Sequence, residues 1–262
     1  MATLAVIFPP TQPPERLGPV AAAAEAAGLP ELWVWEDCFS ESGIATATAI
    51  LAATSRVRVG IGLLPVPLRN VALTAMEIAT LGRMFPGRLT AGVGHGVLDW
   101  MSQVGGKVES PLTLLHEYTQ ALSALLHGDT VTTHGRYVHL DGVTLDWPPA
   151  VVPALLVGGI GPRTVGLAGQ LADGLILPGG LSPDDVRAAL GHFHRDRTAT
   201  GPAQVVVFIS VPADSPAAVI AAMVGDYALA GATHVAVNAI GSDVDLERFV
   251  RFAAHEVTAL LP

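Results

Sequence analysis

The sequence offers one cysteine, Cys38, in 262 residues. A lone thiol excludes an intrachain disulfide framework and a cysteine-based zinc site of the usual spacing, and suits a cytoplasmic home. Charge is scarce as well: charged residues make up 14% of the chain, against about a quarter in an average soluble protein. What charge there is leans acidic, with 14 Lys and Arg against 23 Asp and Glu and a formal net charge of -9. That balance excludes nucleic acid as the main partner, because a phosphate backbone needs Lys and Arg to replace its counterions. Long hydrophobic runs are missing too. The opening stretch MATLAVIFPPTQPPERL has no basic leader and meets Pro9 and Pro10 after a short apolar run, which excludes a signal peptide or a span there. The apolar stretches 205–213 and 216–225 are broken by Ser, Pro, Gly or Asp before the about 18 residues a membrane helix requires. The expectation is a soluble protein with no membrane partner.

What the chain does have is apolar residues, 50% of the total, enough for a sizeable core. Short runs rich in Val, Leu and Ile recur at 3–8, 31–36, 57–62, 88–94, 154–159, 174–179, 204–211 and 234–240. They lack strict alternation, the mark of strands buried on both faces in a parallel sheet. Between them lie segments with helical spacing at 15–27, 43–54, 70–84, 111–127, 163–172, 183–197, 215–230 and 243–260. The fourth is the clearest: Leu112, Leu115, Tyr118, Leu122 and Leu125 recur every three or four residues, with Pro111 at its start. Strands alternating with helices in this number predict an α/β fold, a (β/α)8 TIM barrel, with an open doubly wound sheet as the main rival. The stretch 128–150 interrupts the alternation. It reads as a short β-hairpin inserted between the fourth helix and the fifth strand, turning at His134-Gly135. No linker or composition shift divides the chain, so residues 1–262 are expected to form a single domain.

In such a barrel the chemistry sits in loops after the strands' C-terminal ends. Those loops carry Glu36-Asp37-Cys38-Phe39, then Gly62-Leu63-Leu64-Pro65 with Arg69, then Gly94-His95-Gly96 with Asp99, Trp100 and Met101, and then VGGIGPRTVGLAG from Val157. A metal site finds little support, since the first strand ends Phe8-Pro9-Pro10 and His192 and His194 sit two apart in a helix, on different sides. No Gly-x-Ser-x-Gly elbow supports a serine nucleophile. Gly159-Ile160-Gly161 begins like a dinucleotide fingerprint, but Thr164 stands where the third glycine belongs, and a Rossmann reading fails. Two readings of this stretch remain. It is either a phosphate grip, with bare glycine backbone and a helix N-terminus beside Arg163 and Arg69, or a turn with proline at the first helical position.

Several stretches taken together, LWVWEDCF (32–39), RVRVGIGLLPVPLRNVALTAMEIATLGRMFPGRL (56–89), GVGHG (92–96), SPLTLLHEYTQAL (110–122) and LLVGGIGPRTVGLAGQLADGLIL (155–177), resemble the luciferase-like monooxygenase family. The resemblance is greatest to its branch that uses the deazaflavin coenzyme F420. It implies a barrel with the coenzyme ring across its C-terminal mouth and the phosphate held after the fifth strand by Gly158, Gly159, Ile160, Gly161, Pro162 and Arg163. It also implies a bulge at Gly62-Leu63 behind the ring, often with a non-prolyl cis peptide, and ring contacts from Asp37, Cys38, Gly94, His95 and Gly96. The implied reaction is hydride transfer between F420 and a partly hydrophobic organic substrate. FMN-dependent monooxygenation and coenzyme binding without catalysis are the alternatives. The family further implies a homodimer.

His95 and Asp37 are the candidate catalytic residues. His95 titrates near neutrality, which suits either proton transfer or a plain hydrogen bond to the coenzyme. For Asp37 and its neighbour Glu36, capping a following segment or anchoring a neighbouring strand is a commoner role than acid-base work. Cys38 stands where many relatives carry His, and Val97 where some carry Glu, leaving the proton donor open. Trp35, Phe39, Leu64, Trp100 and Met101 are candidates for an apolar substrate pocket. The chain is short for the family, so that pocket is expected to be open.

Overall fold

The computed structural model describes residues 2–261. Eight parallel strands close into a barrel: β1 (Thr3–Phe8), β2 (Glu31–Val34), β3 (Arg58–Pro65), β4 (Leu89–Gly94), β7 (Ala154–Gly158), β8 (Gly174–Leu177), β9 (Gln204–Pro212) and β10 (His234–Ile240). Around the cylinder the order is β1-β10-β9-β8-β7-β4-β3-β2, so β1 and β10 meet at the seam with Thr3 opposite His234. This is the TIM barrel that the alternating runs predict. The two missing numbers are the hairpin, β5 (Val131–His134) and β6 (His139–Val143), which stands apart from the barrel before β7.

The strands are apolar on both faces because each face has its own core. Ala5, Ile7, Trp33, Leu156, Ile176, Val206, Phe208 and Ala236 point inward and fill the lumen. Their neighbours, such as Val6, Leu32, Val157 and Val207, point outward against the helices. Burial of both sets is the main favourable term of the fold, at about 25 cal/mol per Å² of apolar surface.

The helices are α1 (Leu17–Ala27), α2 (Gly43–Ala53), α3 (Val71–Met84), α4 (Leu98–Gln103), α5 (Pro111–Leu126), α6 (Pro162–Leu171), α7 (Pro183–Asp196), α8 (Ala217–Leu229) and α9 (Leu246–Phe252). Starts are marked by side-chain caps: Asn70 accepts the amide of Ala72 at 2.8 Å, and Ser182 and Asp185 form a reciprocal capping box. Two expectations need correction. The stretch after β4, read as a loop, contains the short α4. The final helix, read as continuous over 243–260, is α-helical only to Phe252, then widens to a π turn over Ala253–Val257 and tightens at Thr258–Leu260. There the Ala253 carbonyl accepts both the Thr258 amide, as the π-type bond, and the Thr258 hydroxyl at 3.0 Å. No described helix is long and apolar enough to cross a membrane.

Candidate active site

Strand β3 begins the site. Between Ile61 and Leu64 it carries one residue more than the facing stretch of β4 from Ala91 to Val93, a bulge in which the Gly62–Leu63 peptide is cis. The bulge delivers the Leu63 side chain onto the open end of the barrel. There it lies over two glycines: a Cβ on Gly94 would stand 2.6 Å from Leu63 Cδ2, and one on Gly158 2.4 Å. A Cβ on Gly62 would strike the Phe208 ring at 2.5 Å. These glycines therefore serve close packing under the site. A second non-prolyl cis peptide, not foreseen from the sequence, joins Cys38 and Phe39.

Beneath this layer the lumen is aromatic. The Phe208 ring centroid lies 5.7 Å from those of both Trp33 and Trp35. Above it opens a slot of about 400 Å³, walled by Trp35, Leu63, His95, Trp100, Ile176 and Phe208 and edged by Gly158, Gly159 and Ile160. Such a largely apolar cleft with a few polar groups is the usual form of a small-molecule site.

One rim of the slot is formed by Gly158, Gly159 and Ile160, which lead directly into the start of α6. Gly161 is its N-cap and the Gly159 amide is spent on Ile176 O, but a Cβ on Gly161 would meet nothing within 4 Å. Beyond Pro162, which has no amide hydrogen, the first-turn amides of Arg163 and Thr164 have no protein acceptor among the described residues. Free first-turn amides beside open glycine backbone suit an anion. His95 steadies this rim, with its Nε2 3.1 Å from Thr164 Oγ1. Burial pushes the His95 pKa below the usual imidazole value, with the Pro111 backbone pulling it partly back, so the ring is neutral at neutral pH. Its Nδ1 is buried without a well-formed hydrogen bond.

The opposite rim is held by charge. Glu36 is buried and pairs through both carboxylate oxygens with Arg69, the longer contact being 3.0 Å, while the Gly43 amide donates to its Oε2 at 2.8 Å. Arg69 also reaches Glu77 Oε2 at 3.5 Å from Nε. Arg69 is thereby committed to two carboxylates and is not free for a phosphate. The cluster fixes the end of β2, which places Trp35 and Asp37 at the slot. Burial raises the Asp37 pKa, favouring the protonated carboxyl. Burial, and then the charges of Glu36 and Asp37, raise that of Cys38, which keeps the thiol protonated and unreactive.

Of the residues singled out in the sequence, Asp37, Gly62, Leu63, His95, Gly96, Gly158, Gly159 and Ile160 line the slot. Cys38, Gly94, Gly161, Pro162 and Arg163 do not: Gly94 lies under Leu63, and Arg163 faces a groove between α5 and α6 beside His116 and Gln170. Trp35 and Trp100 are walls, whereas Leu64 and Met101 are buried core and Phe39 is exposed. Phe208, Ile176 and Pro178 also line the slot. Sequence reasoning missed them because a strand buried on both faces gives no sign of which side chains point inward.

A sequence model described as luciferase-like monooxygenase matches residues 3–256. The chain belongs to the luciferase-like monooxygenase family. Within it, the chain is 28% identical over 175 residues to a 5,10-methylenetetrahydromethanopterin reductase from Methanolobus tindarius, covering 67% of this chain and 53% of that protein. It is 30% identical over 189 residues to an F420-dependent glucose-6-phosphate dehydrogenase from Nakamurella multipartita, covering 65% of this chain and 54% of that protein. The chain thus spans about half the length of these curated relatives. Its fold is that of an F420-dependent secondary alcohol dehydrogenase solved with an F420-acetone adduct, with a TM-score of 0.86 at 20% identity over the whole of both chains.

Proposed function

We propose that this luciferase-like protein is an oxidoreductase that moves a hydride between coenzyme F420 and a small organic substrate. The observation that carries the reading is the slot itself: a largely apolar cleft over the Leu63 bulge, edged by Gly158, Gly159 and Ile160, which lead into α6. A ring system fits the apolar part, and the free first-turn amides fit a phosphate on its tail. The names of the curated relatives support F420 over other ring coenzymes. When bound, F420 supplies a carbon centre that accepts or gives a hydride.

The chain's own residues do the rest. Leu63 backs one face of the slot, and Trp35, Trp100 and Phe208 keep water from it, which orients the reacting carbons and protects the hydride. A hydride leaving a C–H bond that bears a hydroxyl must be matched by a proton leaving the oxygen. Asp37 is the group for that proton: it lies at the edge of the slot, and burial raises its pKa above the usual carboxylate value, which makes it a better proton acceptor than an exposed aspartate. His95, bonded to Thr164, acts by holding the phosphate rim and hydrogen-bonding the coenzyme.

The test is titration of the purified protein with oxidised F420 and, separately, with FMN, followed by quenching of its four tryptophans. Micromolar binding of F420 with weaker binding of FMN is expected. Tighter binding of FMN with flavin-dependent oxygen uptake replaces this reading with an FMN monooxygenase, and binding of neither reduces the α6 start to a turn.

A further inference from the structure

A second hollow, about 770 Å³ and larger than the slot, opens at the seam where β1 meets β10. It is framed by the Pro9–Pro13 segment and by the chain from Asn238 to Asp245, and it shares two wall residues with the slot, Trp35 and Asp37. Whatever sits here lies directly beside whatever sits in the slot.

Two features give the hollow its chemistry. The first is a pair of unmet polar groups. Trp35 Nε1 and Asn238 Oδ1 are both shielded from water and have no partner among the described residues. Asn238 follows the inward Ala236 by two residues on β10, so it too faces the lumen, where a shielded carbonyl oxygen with nothing to bond is costly. One group is a donor and the other an acceptor. A hydroxyl can serve both kinds.

The second feature is charge. Asp37, Asp243 and Asp245 line the hollow, and Arg16 is the one Arg or Lys that does so among the described residues. Arg16 is engaged with Glu247 at 2.9 Å, and Asp245 accepts the amide of Arg248 at 3.0 Å. No cation is left over for a phosphate or carboxylate. The prolines, Ile240 and Val244 add apolar wall, and Thr11, Gln12 and Ser242 add neutral polar groups.

We propose that this hollow binds the uncharged, hydroxyl-bearing part of the organic substrate, with Asn238 and Trp35 as its specificity residues, and that it rejects phosphorylated substrates. This rests on reading the adjoining slot as the F420 site, because the substrate must lie against the ring to exchange a hydride. It also separates this chain from relatives named for glucose 6-phosphate.

The experiment uses 15N-labelled protein saturated with F420, with coenzyme occupancy checked beforehand from deazaflavin absorbance in the retained fraction, so that failure of the coenzyme reading is seen separately. Where F420 does not bind, the same titrations are made on the protein alone. The probes are cyclohexanol, glucose and glucose 6-phosphate. The readout is the indole N–H signal of Trp35, assigned from a Trp35→Phe variant. The expected result is a saturable shift with cyclohexanol or glucose, none with glucose 6-phosphate at the same concentration, and at least tenfold weaker alcohol binding in Asn238→Leu with F420 affinity unchanged. The proposal is overturned if glucose 6-phosphate shifts the signal as readily as glucose, if no neutral probe shifts it, or if Asn238→Leu binds alcohol as well as the wild type. Because Leu keeps the branching of Asn and removes an unpaired buried carbonyl oxygen, that variant is expected to fold. Its thermal midpoint is recorded alongside.

Discussion

Replacing Arg69 with Met tests the physics of the rim that carries Trp35 and Asp37. The side chains of Glu36, Arg69 and Glu77 are 7%, 14% and 24% exposed, so the cluster is close to a buried salt bridge. Removing one partner from such a group typically costs about 3–5 kcal/mol, since it strands the opposite charge in a poor solvent. Here two carboxylates would be stranded together. The Gly43 amide still serves Glu36, and Glu77 is the more exposed of the two, which places the cost near the lower end, about 3 kcal/mol at neutral pH. The pH dependence has a definite sign. Burial already raises the Glu77 pKa above 4.5 while Arg69 holds it back, so the variant raises it further. The penalty for keeping that carboxylate charged is full above the folded pKa and fades as pH falls through it towards 4.5, where the unfolded chain takes up the proton as well. Urea unfolding of wild type and Arg69→Met at about pH 7 and about pH 5 measures both quantities. A deficit under about 1 kcal/mol, or one of equal size at the two pH values, would refute the picture of a buried, mutually dependent cluster. Adding Glu36→Gln to Arg69→Met should recover part of the loss by removing one stranded charge.

Two further outcomes are expected. Gly158→Ala puts a Cβ 2.4 Å from Leu63 Cδ2, so Leu63 must swing into the slot; F420 affinity should fall at least tenfold for a stability loss of about 1–3 kcal/mol, and an unchanged titration curve would show that Leu63 has room elsewhere. Glu25, far from the site, has its pKa pulled down to about 2 by the Ser55 hydroxyl at 2.6 Å, with help from the amides of Arg56 and Val57. Its contribution to stability is present above 4.5 and lost as pH falls towards about 2, so the gap in urea midpoint between wild type and Glu25→Gln should close over that window, and a gap that persists below it would sink the assignment.

The barrel was legible in the sequence because strands buried on both faces leave continuous apolar runs and outer helices leave a stripe, as in Leu112 to Leu125. Short-range signals failed where tertiary bonding decides. The six-residue α4 follows Val97, which makes no side-chain cap, so nothing local announces it. The fate of Arg69 depends on Glu36, 33 residues away along the chain. A basic residue near a phosphate-like loop looks free until the fold supplies its acids. Glycines 94 and 158 were legible as special, but for the coenzyme and not for the leucine they seat. The inward direction of Phe208 is set by register around the closed sheet, which a run such as QVVVFISV does not encode.

The seam between β1 and β10 has a consequence for how such a protein can diversify. The slot draws its walls from residues between Trp35 and Phe208, while the neighbouring hollow is built from Pro9 to Arg16 and Asn238 to Asp245. Only Trp35 and Asp37 belong to both. If the slot holds the coenzyme and the hollow the substrate, as proposed above, selection or a protein engineer can rewrite two short segments at the seam without touching the walls of the slot. Two shared residues limit that freedom, and a library that spares them while randomising the seam would vary the hollow and leave the slot constant.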